Sequence, residues 1–383
     1  MNCKFYMPTN VLMGENCVRE NAKLFSELGT RALLVTGARS AKVCGAQEDV
    51  TAVLEECGIE YQVFDRIMAN PLIDVVYEGA EAARRMNADL IISIGGGSPM
   101  DAGKAIALLA AQDIKKEALF SGDYGREILN MIHIPTTSGT GSEVTQYSVL
   151  TNEAAQTKMS ISSPLLFPKA ALLDPRYTMG LGAENTINTA IDAFSHAAEG
   201  MLSVRANRIT DQLAQDAIST IASCFEDLKR VATGEGGAVS LGEGGAISFE
   251  AREKLQYASM IAGIVIAHTG TTAVHSMGYS LTFFKGADHG RANGLLLADF
   301  ITLVAGQRPD VTARILKASG MSGAGELRAL MDELLGERET ASEEEIQKYT
   351  DIAAKAKNIR NSIVAPTRED IAAIYRNCLQ ISR

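Results

Sequence analysis

The stretch Leu90-Ile91-Ile92-Ser93-Ile94-Gly95-Gly96-Gly97-Ser98-Pro99-Met100-Asp101-Ala102-Gly103-Lys104 decides the fold. Leu90 to Ile94 is an almost unbroken apolar run, as expected of a parallel strand buried on both faces. Three glycines follow, and Pro99 suits the first turn of a helix. Glycines let backbone N–H groups approach a pyrophosphate, and a helix N-terminus adds positive potential. The spacing is neither the GxGxxG fingerprint nor a Walker A loop. By itself, a tight structural turn explains these glycines equally well.

Working outward, the first half alternates strand and helix. Residues 31–36, 61–64 and 128–134 read as strands, and 50–57 and 73–86 as helices. Asn70-Pro71 marks a turn, because the residue before proline avoids the helical region. The alternation predicts a doubly wound parallel sheet. From about Glu184 the pattern becomes helical, over 184–202, 206–230, 249–268, 291–305, 309–319, 324–336, 341–355 and 368–379. The expected organisation is an α/β dinucleotide-binding domain over 1–180 and an all-α domain over 181–383. A repeat, Gly234-Glu-Gly-Gly-Ala-Val-Ser240 and Gly242-Glu-Gly-Gly-Ala-Ile-Ser248, reads as a mobile surface insertion between helices.

The 383 residues suffice for two full cores. A hydrophobic share of 46% and a charged share of 21% are those of a globular protein. The net charge of −10 and pI of about 5.2 disfavour nucleic acid and anionic membranes as partners. No apolar run approaches the roughly 18 residues of a membrane span, and the N-terminus lacks a signal-peptide core. Six scattered cysteines without a CxxC pair read as reduced thiols. Cytoplasm is the expected location.

Three of the five histidines form one pattern with an aspartate. Asp192 and His196 stand four apart, so both face one side of a helix. His275 and His289 follow, the latter in a segment expected to be a loop. One carboxylate and three imidazoles suit a borderline divalent metal such as Fe2+, Zn2+ or Co2+. Taken singly, each has a plainer reading: a helix salt bridge for the pair, a packed histidine for His275. His133, on a strand, reads as structural. A second loop, Pro135-Thr-Thr-Ser-Gly-Thr-Gly-Ser-Glu-Val-Thr145, is rich in hydroxyls. The strand at 31–36 runs into Gly37-Ala-Arg-Ser-Ala-Lys42. A small residue there, with Arg39, Ser40 and Lys42 nearby, suits a 2′-phosphate, where NAD-specific folds often carry an acid. Ordinary surface charge is the alternative.

Along almost its whole length the chain resembles the iron-dependent (group III) alcohol dehydrogenases. The matching segments are 95–104, 135–145, Asp174-Pro175, Asp192-Ala-Phe-Ser-His196, His275-Ser-Met-Gly-Tyr279 and Asp288-His-Gly-Arg-Ala-Asn293. The resemblance implies the dehydroquinate synthase-like architecture, with the active site in the cleft between two domains. It carries metal ligation to Asp192, His196, His275 and His289. It carries coenzyme binding to Gly96, Gly97, Ser98, Asp101, Thr136, Thr137, Thr140, Thr145 and Lys158, with Gly37 and Ser40 pointing to NADP(H) over NAD(H). Fe2+ is the implied metal, with Zn2+ compatible, and a small primary alcohol or aldehyde the implied substrate. A homo-oligomer, dimeric or larger, is the implied assembly. The alternative is a zinc-dependent glycerol dehydrogenase-like or dehydroquinate synthase-like enzyme. Many family members carry a proton-relaying histidine one turn after the third ligand, where this chain has Tyr279. Tyrosine, with an ordinary pKa near 10, is a poor base at neutrality. His268, two helical turns before His275 if the helix is unbroken at Gly270, Tyr279 or a water chain is therefore the expected relay; the alternative for His268 is that it caps or packs a helix.

Overall fold

The structure, a computed structural model, describes residues 3–153, 157–234 and 247–382. The glycine-rich repeat falls on residues 235–246, outside the described residues, but for its first and last few positions. Two compact units emerge, Tyr6–Gly180 and Leu181–Arg383 with Met1–Phe5. The start of the chain thus belongs with the helical unit, where Phe5 stacks on His268 at 4.2 Å.

Among its described residues the α/β unit has eight strands: β1 (Asn10–Met13), β2 (Arg31–Thr36), β3 (Glu60–Phe64), β4 (Leu90–Gly95), β5 (Asn130–Pro135), β6 (Tyr147–Asn152), β7 (Thr157–Ser162) and β8 (Ala170–Leu173). Six form one sheet in the order β1-β8-β5-β4-β2-β3, and every pairing in it is parallel. Successive side chains of a strand point to opposite faces. Leu33, Val35 and Ile91 accordingly join one core cluster, while Ala32, Leu34, Leu90, Ile92 and Ile94 join the other. Both faces are covered, which is why Leu90–Ile94 reads as an unbroken apolar run. β6 and β7 form a separate antiparallel ribbon.

The connections reverse direction between β2 and β4. From β2 the chain moves outward to β3, then returns to lay β4 on β2's other side. In open α/β sheets ligands bind at the carboxyl ends of strands flanking such a switch point. Gly37–Lys42 follows β2 and Gly96–Ser98 follows β4, so both expected coenzyme segments lie there.

The helical unit follows the expected helices with three departures. The segment read as 206–230 is two helices, Arg208–Ala222 and Phe225–Ala232. Residues 273–285, assigned no helix from sequence, form Ala273–Lys285. Two short strands, Thr340–Ala341 and Gln380–Ile381, pair in parallel, so the unit is helical but not purely so. Among the described residues no single helix is long and apolar enough to cross a membrane.

Candidate metal centre and coenzyme loops

Asp192 and His196 project from the helix Ala183–Met201, His275 from Ala273–Lys285, and His289 opens the helix His289–Ala305. His289 was expected in a loop. It is instead the first helical residue, and Asp288 caps that helix by accepting from the Gly290 N–H at 3.0 Å. Close helix approach brings the four together. A Cβ on Gly290 would stand 1.8 Å from the Asn188 carbonyl oxygen, and one on Gly294 would stand 2.6 Å from Ile191. These glycines, one turn apart, let His289–Ala305 lie almost backbone-to-backbone against Ala183–Met201.

Donor atoms of Asp192, His196 and His275 lie within 4.8 Å of one another. Nε2 of His196 is 4.0 Å and Nε2 of His275 3.9 Å from Asp192 Oδ1. Tetrahedral donors each about 2.1 Å from one ion stand about 3.4 Å apart, so these side chains would close in by about half an ångström or more to share a first-row metal. The His289 ring lies 5.0 Å from that of His275. At the centre, the Asn293 amide nitrogen is 3.1 Å from Asp192 Oδ1, 3.1 Å from His275 Nε2 and 3.4 Å from His289 Nε2. One donor group therefore touches three of the four expected ligands. Burial alone would raise the Asp192 pKa, but the three imidazoles and the Asn293 amide hold it below the ordinary carboxylate range.

Neither Asn293 nor Glu199 was singled out from sequence. Glu199 is fully buried, and its carboxylate accepts from His275 Nδ1 and from the backbone N–H of Thr272 at 2.8 Å. A signal was present, since Asp192, His196 and Glu199 fall at i, i+4 and i+7, an ionisable stripe among mostly apolar residues of the helix's second half.

The two relay candidates separate. The helix Phe249–Thr269 ends at Gly270 (φ 67°), and the next helix departs at 111°. The spacing therefore does not put His268 and His275 on one helix face, which corrects that expectation. His268 instead sets Nδ1 2.7 Å from the Ile264 carbonyl oxygen and stacks on Phe5. Tyr279, half-buried, stacks on His289 at 5.6 Å. His133 is fully buried on β5, and burial, with Lys104 nearby, drives its pKa well below the usual value. That suits the structural reading.

In the α/β unit the helix Gly97–Ala111 starts directly after β4. A Cβ on Gly96 would meet the Thr137 hydroxyl at 3.1 Å, and one on Gly97 would meet Thr140 Cγ2 at 2.7 Å. The glycine turn and the threonine loop are thus one packed assembly. Thr136 N–H donates to the Gly95 carbonyl at 2.9 Å, and Ser98 Oγ accepts from Asn70 N–H at 3.2 Å. Lys158 sits half-buried on β7, opposite Thr151. Fully buried Lys104, lowered by burial to a pKa of about 8, donates to Ser142 Oγ, Thr145 Oγ1 and the Tyr147 carbonyl at 2.8, 3.1 and 2.8 Å. Asp101 accepts from Ser142 Oγ at 2.6 Å and Val149 N–H at 3.1 Å. Asp101 and Thr145, expected at the coenzyme, are therefore engaged in bracing the two loops. Lys42 pairs with Asp65 at 2.8 Å, while Arg39 and Ser40 are exposed beside Gly37. The loops fit a polar ligand: Thr36 Oγ1 at the end of β2 and Ser138 Oγ in the threonine loop are buried without a hydrogen-bond partner among the described residues, and buried polar atoms are seldom left so.

The α/β unit matches the family model described as iron-containing alcohol dehydrogenase over residues 8–175, and the helical unit matches the C-terminal model of that family over 186–379. An iron-containing alcohol dehydrogenase structure from Thermotoga maritima superposes with a TM-score of 0.89 at 37% identity, covering 99% of both chains. A 1,3-propanediol dehydrogenase of Citrobacter freundii is 35% identical over 77% of this chain and 72% of its own. An NAD-dependent methanol dehydrogenase of Bacillus methanolicus is 30% identical over 76% and 73%. The chain belongs to the iron-containing alcohol dehydrogenase family. It is an oxidoreductase of the alcohol dehydrogenase kind, and the family implies both a metal and a nicotinamide coenzyme.

Proposed function

We propose that this chain transfers hydride reversibly between NADP(H) and the carbon of a small primary alcohol or aldehyde, with Fe2+ held by Asp192, His196, His275 and His289. The observation that carries the reading is the clustering of the Asp192, His196 and His275 donor atoms within 4.8 Å of one another, with His289 joined to Asp192 and His275 through the Asn293 amide. A divalent metal in that set supplies Lewis acidity toward the substrate oxygen. The donor chemistry suits Zn2+ as well, and membership of an iron-containing family favours Fe2+. The dehydroquinate synthase-like alternative has no support from the family matches.

The residues divide the work. Gly96, Gly97 and Ser98 present backbone N–H groups and the helix N-terminus to the coenzyme pyrophosphate, with Thr137, Thr140 and Lys158 completing the polar surround. Gly37 leaves room at the end of β2 for a 2′-phosphate, and Arg39 and Ser40 supply charge and a hydroxyl. With Lys42 held by Asp65, the NADP(H) preference rests on those three. The B. methanolicus relative is NAD-dependent by name, so coenzyme choice does not carry over from the family. Tyr279 takes the relay role, passing the substrate proton outward. On composition and resemblance, the enzyme is a cytoplasmic homo-oligomer.

The test is turnover of protein purified without oxygen and loaded with Fe2+ or Zn2+. NADPH and NADH oxidation are followed against short aldehydes. Faster turnover with NADPH and Fe2+ is expected. A fully metallated enzyme that oxidises neither coenzyme would overturn the reading. Tyr279→Phe is expected to lower kcat by about a hundredfold, in the usual range for general acid–base catalysis, and to reshape the pH–rate profile. An unchanged profile would remove Tyr279 from the relay.

A further inference from the structure

We propose that Glu199 is the positioning residue for His275. It fixes the tautomer and ring orientation that turn Nε2 toward the metal, and it locks the helix bearing His275 to the helix bearing Asp192 and His196. The proposal rests on the reading of those residues as a metal site.

Glu199 lies three residues after His196 on the helix Ala183–Met201 and is fully buried. A buried carboxylate is costly unless its oxygens are satisfied. Here each oxygen has its own duty. Oε1 accepts from the Thr272 backbone N–H at 2.8 Å, from the Thr272 hydroxyl, and from the His275 N–H at 3.4 Å. These donors belong to the turn after Gly270 and to the first turn of Ala273–Lys285, where a negative charge also suits the helix dipole. Oε2 takes the imidazole Nδ1.

A carboxylate only accepts, so Nδ1 carries the proton and Nε2 keeps its lone pair. An independent contact agrees. The Asn293 amide nitrogen stands 3.1 Å from His275 Nε2, a donor facing the atom that must accept. The same amide stands 3.1 Å from Asp192 Oδ1, so Nε2 and that carboxylate oxygen, 3.9 Å apart, face a common point. A carboxylate behind a ligating histidine raises its basicity and holds its ring, and losing such a partner typically weakens metal binding about 10- to 100-fold.

Glu199→Gln isolates the effect. Both groups facing residue 199 are donor sets, whereas a glutamine offers one oxygen and one NH2. With the NH2 toward Thr272, donor meets donor; with it toward Nδ1, the imidazole must take the other tautomer and lose the Nε2 lone pair. Thr272→Val is the control, because it removes only the hydroxyl bonded to Oε1 and leaves Nδ1 with Oε2.

The readout is anaerobic Co2+ titration of the metal-free chain, following the visible d–d bands and the dissociation constant, with coenzyme affinity measured beside it. Glu199→Gln is expected to bind Co2+ about 10- to 100-fold more weakly with altered bands, at unchanged coenzyme affinity, while Thr272→Val keeps the wild-type constant and spectrum. If Glu199→Gln does not yield folded protein, Glu199→Asp, which retains the charge but withdraws it by one methylene, is titrated with the same expectation. Wild-type Co2+ affinity and bands in the Glu199 variant would sink the positioning role alone. An equal loss in Thr272→Val would show that the turn, not the imidazole, carries the effect, and would also overturn it. Wild-type protein that binds no Co2+ would bring down the metal-site reading and this proposal together.

Discussion

Asp192→Ala is expected to leave a folded protein that retains no stoichiometric metal and turns over at least about a thousandfold more slowly. A metal's contribution of several kcal/mol to a transition state corresponds to a factor of that size. Asp192 is the only carboxylate among the four expected ligands. Three neutral imidazoles donate lone pairs but do not offset the charge of a dication. Asp192 is also the hub of the cluster, since Nε2 of His196, Nε2 of His275 and the Asn293 amide all lie within 4.0 Å of its Oδ1. Alanine is the best residue for a helix interior, so the helix Ala183–Met201 itself should persist. The expected coenzyme groups belong to the other unit, so NADPH binding should survive while metal content and kcat fall together. That split separates loss of the metal from general unfolding. Metal analysis, kcat and coenzyme titration on the same preparation check it. A variant with full metal content and kcat within about tenfold of wild type would remove Asp192 from the ligand set, because that change amounts to only about 1.4 kcal/mol.

Much of this arrangement is legible in the sequence, for identifiable reasons. β4 and its glycine turn stand out because a strand buried on both faces must be apolar throughout. The metal cluster is visible because histidine is scarce and the Asp192–His196 spacing fits one helix face. Apart from Glu199, whose i, i+4, i+7 spacing with Asp192 and His196 is itself a signal, what stayed hidden lacks a periodic one. The helix Ala273–Lys285 is buried on nearly all sides from Ala273 to Leu281, so its Ser, Met, Gly and Leu residues show no apolar stripe. β1 and β8, four residues each, are too short to separate from loop by pattern. The break that splits 206–230 falls at Ser223 and Cys224, where neither Gly nor Pro marks it. Glu199 was overlooked because a carboxylate on a helix ordinarily reads as a solvated face. Its burial becomes visible only when Thr272 and His275, more than seventy residues on, are seen to meet it.

The glycines beside the cluster carry a different kind of information, and Gly290→Ala tests it. A methyl group there would sit 1.8 Å from the Asn188 carbonyl oxygen, 2.7 Å from its carbon and 3.0 Å from Asp192 Cβ. The obstruction is mainly backbone, so no rotamer change relieves it, unlike at Gly200, where the nearest atom is the Val265 side chain. The helices Ala183–Met201 and His289–Ala305 must part, and His289 moves with the second. The expected cost is about 3 kcal/mol of stability, at the upper end for overpacking a core, together with weakened Co2+ binding. Gly325→Ala is the matched control: it lies inside the helix Ala324–Leu335 with nothing within 4 Å of its added methyl. Replacing a helical glycine there should be neutral or stabilise by up to about 1 kcal/mol. Urea unfolding of the metal-free variants compares the two directly. Equal midpoints for Gly290→Ala and wild type would mean that the helices yield without cost, and that close approach is not what assembles the site. A lower midpoint with Co2+ affinity intact would mean instead that the cluster tolerates a shift of His289, leaving Asp192, His196 and His275 to define the centre.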